Sequence, residues 1–88
     1  MRELLLDADT LYTRAQAHDI FAKTFGFPES YGRNLDALYD LLTALPPTRL
    51  TLRHAEMLVV HMGNYGELLL RVLANAAAEN PHFILSAE

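Results

Sequence analysis

The stretch Pro28-Glu29-Ser30-Tyr31-Gly32-Arg33-Asn34-Leu35-Asp36-Ala37-Leu38-Tyr39-Asp40-Leu41-Leu42-Thr43 contains a loop followed by a one-sided helix. Pro28 and Gly32 are turn-formers, Asn34 is a good N-cap, and the helix Leu35 to Thr43 stops before Pro46-Pro47. At about 100° per residue, Leu35, Leu38, Leu41 and Leu42 fall on one side, with Asp36 and Asp40 opposite and Tyr39 at the flank. Such a helix must lay its leucines on another layer, and the flanking segments supply one.

Upstream, Glu3 to Ala8 is a leucine-rich run that suits a strand buried on both faces. Thr13 and Gln16 form a capping box ahead of a helix from about Arg14 to Thr24, which Gly26 and Pro28 stop. Downstream, Arg49 to Arg53 and His82 to Ser86 read as short strands. Ala55 to Met62 has strand-like letters in Leu58-Val59-Val60, but its place between a strand and the Gly63-Asn64 turn favours helix. Tyr65 to Glu79 is a helix with Leu69, Val72, Leu73 and Ala76 on one stripe, ended by Asn80-Pro81. The order β-α-α-β-α-α-β predicts an α/β fold, a small three-stranded parallel sheet packed with about four helices.

The chain has 88 residues, 51% of them hydrophobic, and reads as a single domain over residues 1–88. So small a domain has no room for a deep catalytic cleft beside its own core, which favours functions of a shallow surface. A net charge of −4 repels nucleic acid and anionic lipid and attracts basic partners. Cysteine is absent, so thiol chemistry and disulfides are excluded, in keeping with a reducing cytoplasm. The apolar run at the N-terminus is too short for a signal peptide, and no window approaches the roughly 20 apolar residues of a membrane span. The chain is expected to be mature, soluble, cytoplasmic and monomeric when free.

Asp36 and Asp40 at i and i+4 repel each other, and aspartate is a poor mid-helix residue. A solvated helix face explains the pair on spacing alone; the helix dipole favours Asp36 in the first turn but not Asp40. A basic partner would turn the repulsion into charge-assisted hydrogen bonds. Tyr31 and Tyr39 are amphipathic side chains of a type frequent in interface hot spots, and Tyr39 is the better placed for exposure. Gly32 is expected to supply a positive φ before the helix.

The run from Pro28 to Thr43, above all Tyr31-Gly32, Asn34-Leu35-Asp36-Ala37-Leu38 and Asp40, resembles the signature of the barstar family, intracellular inhibitors of the ribonuclease barnase. The resemblance implies a protein that plugs the active site of a basic microbial, secreted or toxin ribonuclease with this helix and its preceding loop. It implies that Asp40 takes the place of the substrate phosphate, with Asp36 supporting it. Tyr31, Gly32, Asn34, Leu35, Tyr39 and Thr43 match other contact positions of the family, and Asn75 stands where a contacting glutamate is found. Arg33 replaces an acid, Ser30 an aromatic residue and Tyr39 a tryptophan, which points to a partner that differs from barnase. The alternative is a barstar-like interaction or regulatory domain that binds a non-nuclease partner through the same helix, which Arg33 and Asn75 favour.

No catalytic residue, cofactor or metal is expected. His18, His54, His61 and His82 show neither an i, i+4 pair nor an HExxH pattern, and they read as surface or strand-end residues. Asp36 and Asp40 on one exposed helix lack the opposed faces that glycosidase-like chemistry requires.

Overall fold

Thr48–Arg53 turns Thr48, Leu50 and Leu52 into the core and Arg49 and Arg53 to solvent, and it forms the central strand, β2. The computed structural model describes residues 1–88 and sets β2 between β1 (Arg2–Asp7) and β3 (Phe83–Ala87), both parallel to it. A single 3₁₀ turn (Ala8–Thr10), α1 (Arg14–Phe25) and α2 (Leu35–Thr43) join β1 to β2. The second crossover consists of α3 (Met57–Met62) and α4 (Asn64–Glu79). This is the α/β arrangement that the order of elements predicts, a three-stranded parallel sheet with four helices.

Leu4 stands beside Leu50, Leu6 beside Leu52, and Thr48 beside Phe83, and these residues meet the helices. The opposite face carries Glu3, Leu5, Arg49, Arg53, Ile84 and Ser86, all exposed. Leu6 is 6% exposed but Leu5 is 62% exposed, so β1 is not buried on both faces as its leucine run suggests. Parallel sheets usually carry helices on both faces. Here the helices cover one face, and β1 is also an edge strand.

The helix ends follow local chemistry. Thr13 Oγ1 accepts from the Gln16 N–H, while Gln16 Oε1 reaches past Thr13 to accept from the Tyr12 N–H at 2.9 Å. Gly26 closes α1 in the left-handed conformation, φ 72°. Asn34 caps α2, accepting from the Ala37 N–H at 2.8 Å. The segment with strand-like letters is helical from Met57, and Ala55 and Glu56 belong to the turn after β2.

Asn80 does more than stop α4. It is buried, and its amide nitrogen donates to the carbonyls of Leu42 (3.0 Å) and Leu45 (3.2 Å), while its oxygen accepts from the His82 N–H at 2.9 Å. It thereby gives the Leu45 carbonyl a donor, adds a second one at Leu42, whose carbonyl also accepts from the Leu45 N–H at 3.4 Å, and ties the end of α2 to the start of β3.

α3 and α4 touch at Gly66, where a Cβ would lie 1.9 Å from the Leu58 carbonyl oxygen. Backbone cannot withdraw as a side chain can, so Gly66→Ala must push the two helices apart. Overpacking of this kind costs about 2 kcal/mol or more. Urea denaturation of this variant should show a loss of that size, and a midpoint equal to the wild type would show that the helices do not depend on this contact.

Candidate partner-binding face

α2 lies on the core through Leu38 and Leu42, each 0% exposed, with Leu35 and Leu41 half-buried beside them. Asp36 and Asp40 both project into solvent, as the helical spacing predicts, and neither forms an ion pair within the chain. Tyr39 is half-buried at the flank. Thr43 turns its hydroxyl onto its own helix, donating to the carbonyls of Tyr39 and Asp40 at 3.0 Å. Asn34 is exposed at the N-terminus of the helix, and its amide nitrogen also donates to the Gly32 carbonyl at 3.2 Å. Asn75 is exposed on α4, the helix that packs against α2, and its side chain makes no hydrogen bond within the chain.

The loop before α2 differs from its sequence reading in one backbone detail. The left-handed residue is Arg33, φ 55°, and not Gly32. Gly32 instead sits close to its neighbours: a Cβ there would lie 3.2 Å from Ala37 Cβ and 3.3 Å from Asn34 Nδ2, so both would have to give by a few tenths of an ångström. A non-glycine residue in that region costs on the order of 1 kcal/mol and persists where tertiary contacts hold it. For Arg33 the contacts are plain: its guanidinium forms an ion pair with Asp19 and donates to the Ala15 carbonyl at 3.2 Å. The hydrogen bond from Arg33 holds the Asp19 carboxyl below its ordinary range, and Asp19 raises Arg33 in turn.

A second anchor lies beneath the loop. His18 is 2% exposed, which corrects its reading as a surface or strand-end residue. It shares the inner stripe of α1 with Phe21 and Phe25, at i, i+3 and i+7, a spacing that could have marked it as buried. Its Nδ1 lies 2.6 Å from the Tyr31 hydroxyl and its Nε2 2.6 Å from the Tyr65 hydroxyl. A neutral imidazole has one donor and one acceptor nitrogen, so one tyrosine donates and the other accepts. Tyr31, 7% exposed, therefore supports the face from below and offers it little surface. Burial pushes the Tyr31 phenol up to about 12, with the neighbouring Tyr65 adding to the effect.

Two concavities flank α2. One, of about 540 Å³, is bordered by Arg14, His18, Arg33, Asn34, Asp36 and Tyr65, with the Arg14 guanidinium 4.3 Å over the Tyr65 ring. The other, of about 210 Å³, lies between the 28–32 turn and α2 and includes Ser30 and Asp40. Asp36 thus shares its concavity with two guanidiniums, and no cation lines the one beside Asp40. No group of three or more His, Asp or Glu side chains converges where an ion could be held, and no helix is long and apolar enough to cross a membrane.

Fold and surface together define a small α/β protein with two exposed aspartates on one face of α2. A family model described as "Barstar (barnase inhibitor)" matches residues 1–85. A Bacillus subtilis (strain 168) protein named "Putative ribonuclease inhibitor YrdF" is 35% identical over 81 residues, covering 90% of this chain and 89% of that protein. The chain belongs to the barstar family.

Burial lowers the affinity of His18 for a proton, and Arg33 acts in the same direction against a smaller opposing effect of Asp19. The unfolded chain then binds more protons than the folded one below the ordinary histidine value of 6.5. Stability should be full above that pH and fall as the pH drops toward the folded value of His18. His54, raised by its exposed contact with Asp7, works in the opposite sense. Denaturation midpoints between pH 8 and pH 5 in a His54→Gln background should therefore decline, and the added change His18→Gln should remove the decline. An equal slope with and without His18 would show that another group titrates.

Proposed function

We propose that this protein inhibits a basic ribonuclease by plugging its active site with α2 and the loop before it. The observation that carries this reading is the pair Asp36 and Asp40, exposed on one face of a helix whose entry loop is anchored at Arg33 and Tyr31. Preorganised, unpaired carboxylates suit a partner whose arginines and lysines would otherwise hold a phosphate. The family description and the name of the Bacillus subtilis relative support the class of partner. In this reading Asp40 lies among the partner's basic groups, Asp36 supports it, and Gly32, Asn34, Leu35, Tyr39 and Thr43 complete the footprint with Asn75 on α4. The protein works by occupancy, without a cofactor or chemistry of its own, as a monomer in the cytoplasm, against a microbial, secreted or toxin nuclease.

The reading with a non-nuclease partner draws on Arg33 and Asn75. Arg33 is tied to Asp19 and Ala15 on α1, so its guanidinium already has an acidic partner within the chain. That leaves Asn75 as the feature favouring the second reading.

A panel of purified microbial ribonucleases, assayed for inhibition by the wild type and by Asp40→Ala, tests the proposal. At least one enzyme should be inhibited, and Asp40→Ala should weaken that binding by about 2 kcal/mol or more, a hot-spot effect carried over from barstar at the matching position. Because Asp40 is exposed, the stability of the variant should stay within about 0.5 kcal/mol. Equal inhibition by wild type and variant would sink the assignment of Asp40, and an uninhibited panel would favour the non-nuclease reading.

A further inference from the structure

We propose that the concavity bordered by Arg14, Arg33 and Tyr65 is a binding site for a small organic phosphate monoester, held by the two guanidiniums and the Tyr65 hydroxyl. Its volume, about 540 Å³, lies in the range of roughly 300–1,000 Å³ usual for small-molecule sites. The hydroxyl is available because the two phenols on His18 are unequally wet. Tyr31 is 7% exposed, and its hydroxyl has His18 Nδ1, at 2.6 Å, as its hydrogen-bond partner. A buried O–H must be paired, so Tyr31 donates to Nδ1. A neutral His18 then carries its proton on Nε2 and donates to the Tyr65 oxygen, 2.6 Å away. Tyr65 is half-buried, and its own O–H proton is left without an acceptor in the chain, at the wall of the concavity.

The guanidiniums also have donors to offer. Arg14 is steadied over the Tyr65 ring and forms no ion pair within the chain. Arg33 engages Asp19 and the Ala15 carbonyl, which leaves further N–H groups of its fork free. Asp36 is the single acid on the wall and stands against two guanidiniums, so the lining is net cationic in a chain whose net charge is −4. A carboxylate would fill one guanidinium fork and leave the other donors idle. A phosphate monoester brings three terminal oxygens and up to two charges, one oxygen for each of Arg14, Arg33 and Tyr65. Ala15 and Leu35 supply apolar wall for its organic group. Such an occupant lies against Asn34, Leu35 and Asp36, so the ligand and a nuclease exclude each other; that consequence, unlike the site, rests on the ribonuclease reading.

The test titrates phenyl phosphate into the isotopically labelled protein at neutral pH and follows the amides of Ala15, Asn34 and Tyr65 and the ring nitrogens of His18. Saturable shifts are expected, with a millimolar Kd of the order that about eleven non-hydrogen atoms support. Phenol, which lacks the phosphate, should give none. Arg14→Gln should weaken binding about tenfold or more and Tyr65→Phe about fivefold, while Arg71→Gln, a cation outside the concavity, should stay within about twofold. Arg14 is exposed, so its variant should fold. The bound protein should carry the His18 proton on Nε2. No saturable shift, binding indifferent to Arg14→Gln, or a bound state protonated at Nδ1 would overturn the inference. With a ribonuclease that the wild type inhibits, phenyl phosphate should weaken inhibition by the wild type more than inhibition by Arg14→Gln. Equal weakening would place the competition on the enzyme and remove the mutual exclusion. If phenyl phosphate binds as expected and no ribonuclease is inhibited, the inhibitor reading falls and the phosphate site stands.

Discussion

A buried imidazole held by two phenols is the constraint on which the loop before α2 depends. His18 belongs to α1, Tyr31 to the loop and Tyr65 to α4, so two hydrogen bonds of 2.6 Å join three segments distant in sequence. Buried polar groups must be paired, or they cost what their lost hydration cost. Each ring nitrogen has one phenol, and no buried side-chain polar atom of the chain is left without a partner. With the loop held from below at Tyr31 and from the side at Arg33, the left-handed backbone at Arg33 is sustained, and α2 begins at a defined angle.

The acids on α2 gain little from the fold beyond the dipole that favours Asp36 in the first turn. They repel each other, and no side chain of the protein pairs with either. Their surroundings are unequal, however. Asp36 has Arg14 and Arg33 along the same concavity, while Asp40 stands beside a hollow without a cation. The helix therefore offers its least compensated negative charge one turn in from its N-terminus, away from the favourable end of the dipole.

Much of this was legible from the residues. Leucine spacing, the Asn34 cap and the Pro46-Pro47 stop defined α2 to the residue, and the same spacing put Asp36 and Asp40 together in solvent. Alternation in Thr48–Arg53 gave the central strand its inner and outer faces. What escaped depended on contacts distant in sequence. A leucine run carries no mark of which face the helices will cover, so the exposure of Leu5 could not be read from it. The positive φ was assigned to Gly32 on propensity, but Arg33 takes it because Asp19 and Ala15 lie within reach of its guanidinium. Asn80 is legible only as a helix stop and Gly66 carries no mark at all, since the carbonyls they meet, those of Leu42 and Leu45 and of Leu58, belong to other elements.

The uncovered face of the sheet has a bearing on how the protein survives at high concentration. Leu5 and Ile84 are exposed there, and both edge strands end the sheet without a neighbour, which invites stacking and strand addition. Arg49 and Arg53 project from the central strand between them, with Glu3 and Asp7 in register alongside on β1. Any second sheet laid on this surface would have to dehydrate two guanidiniums before its apolar groups could meet Leu5 or Ile84. The same two arginines that look incidental in a short strand thus make the stacking of one sheet on another costly.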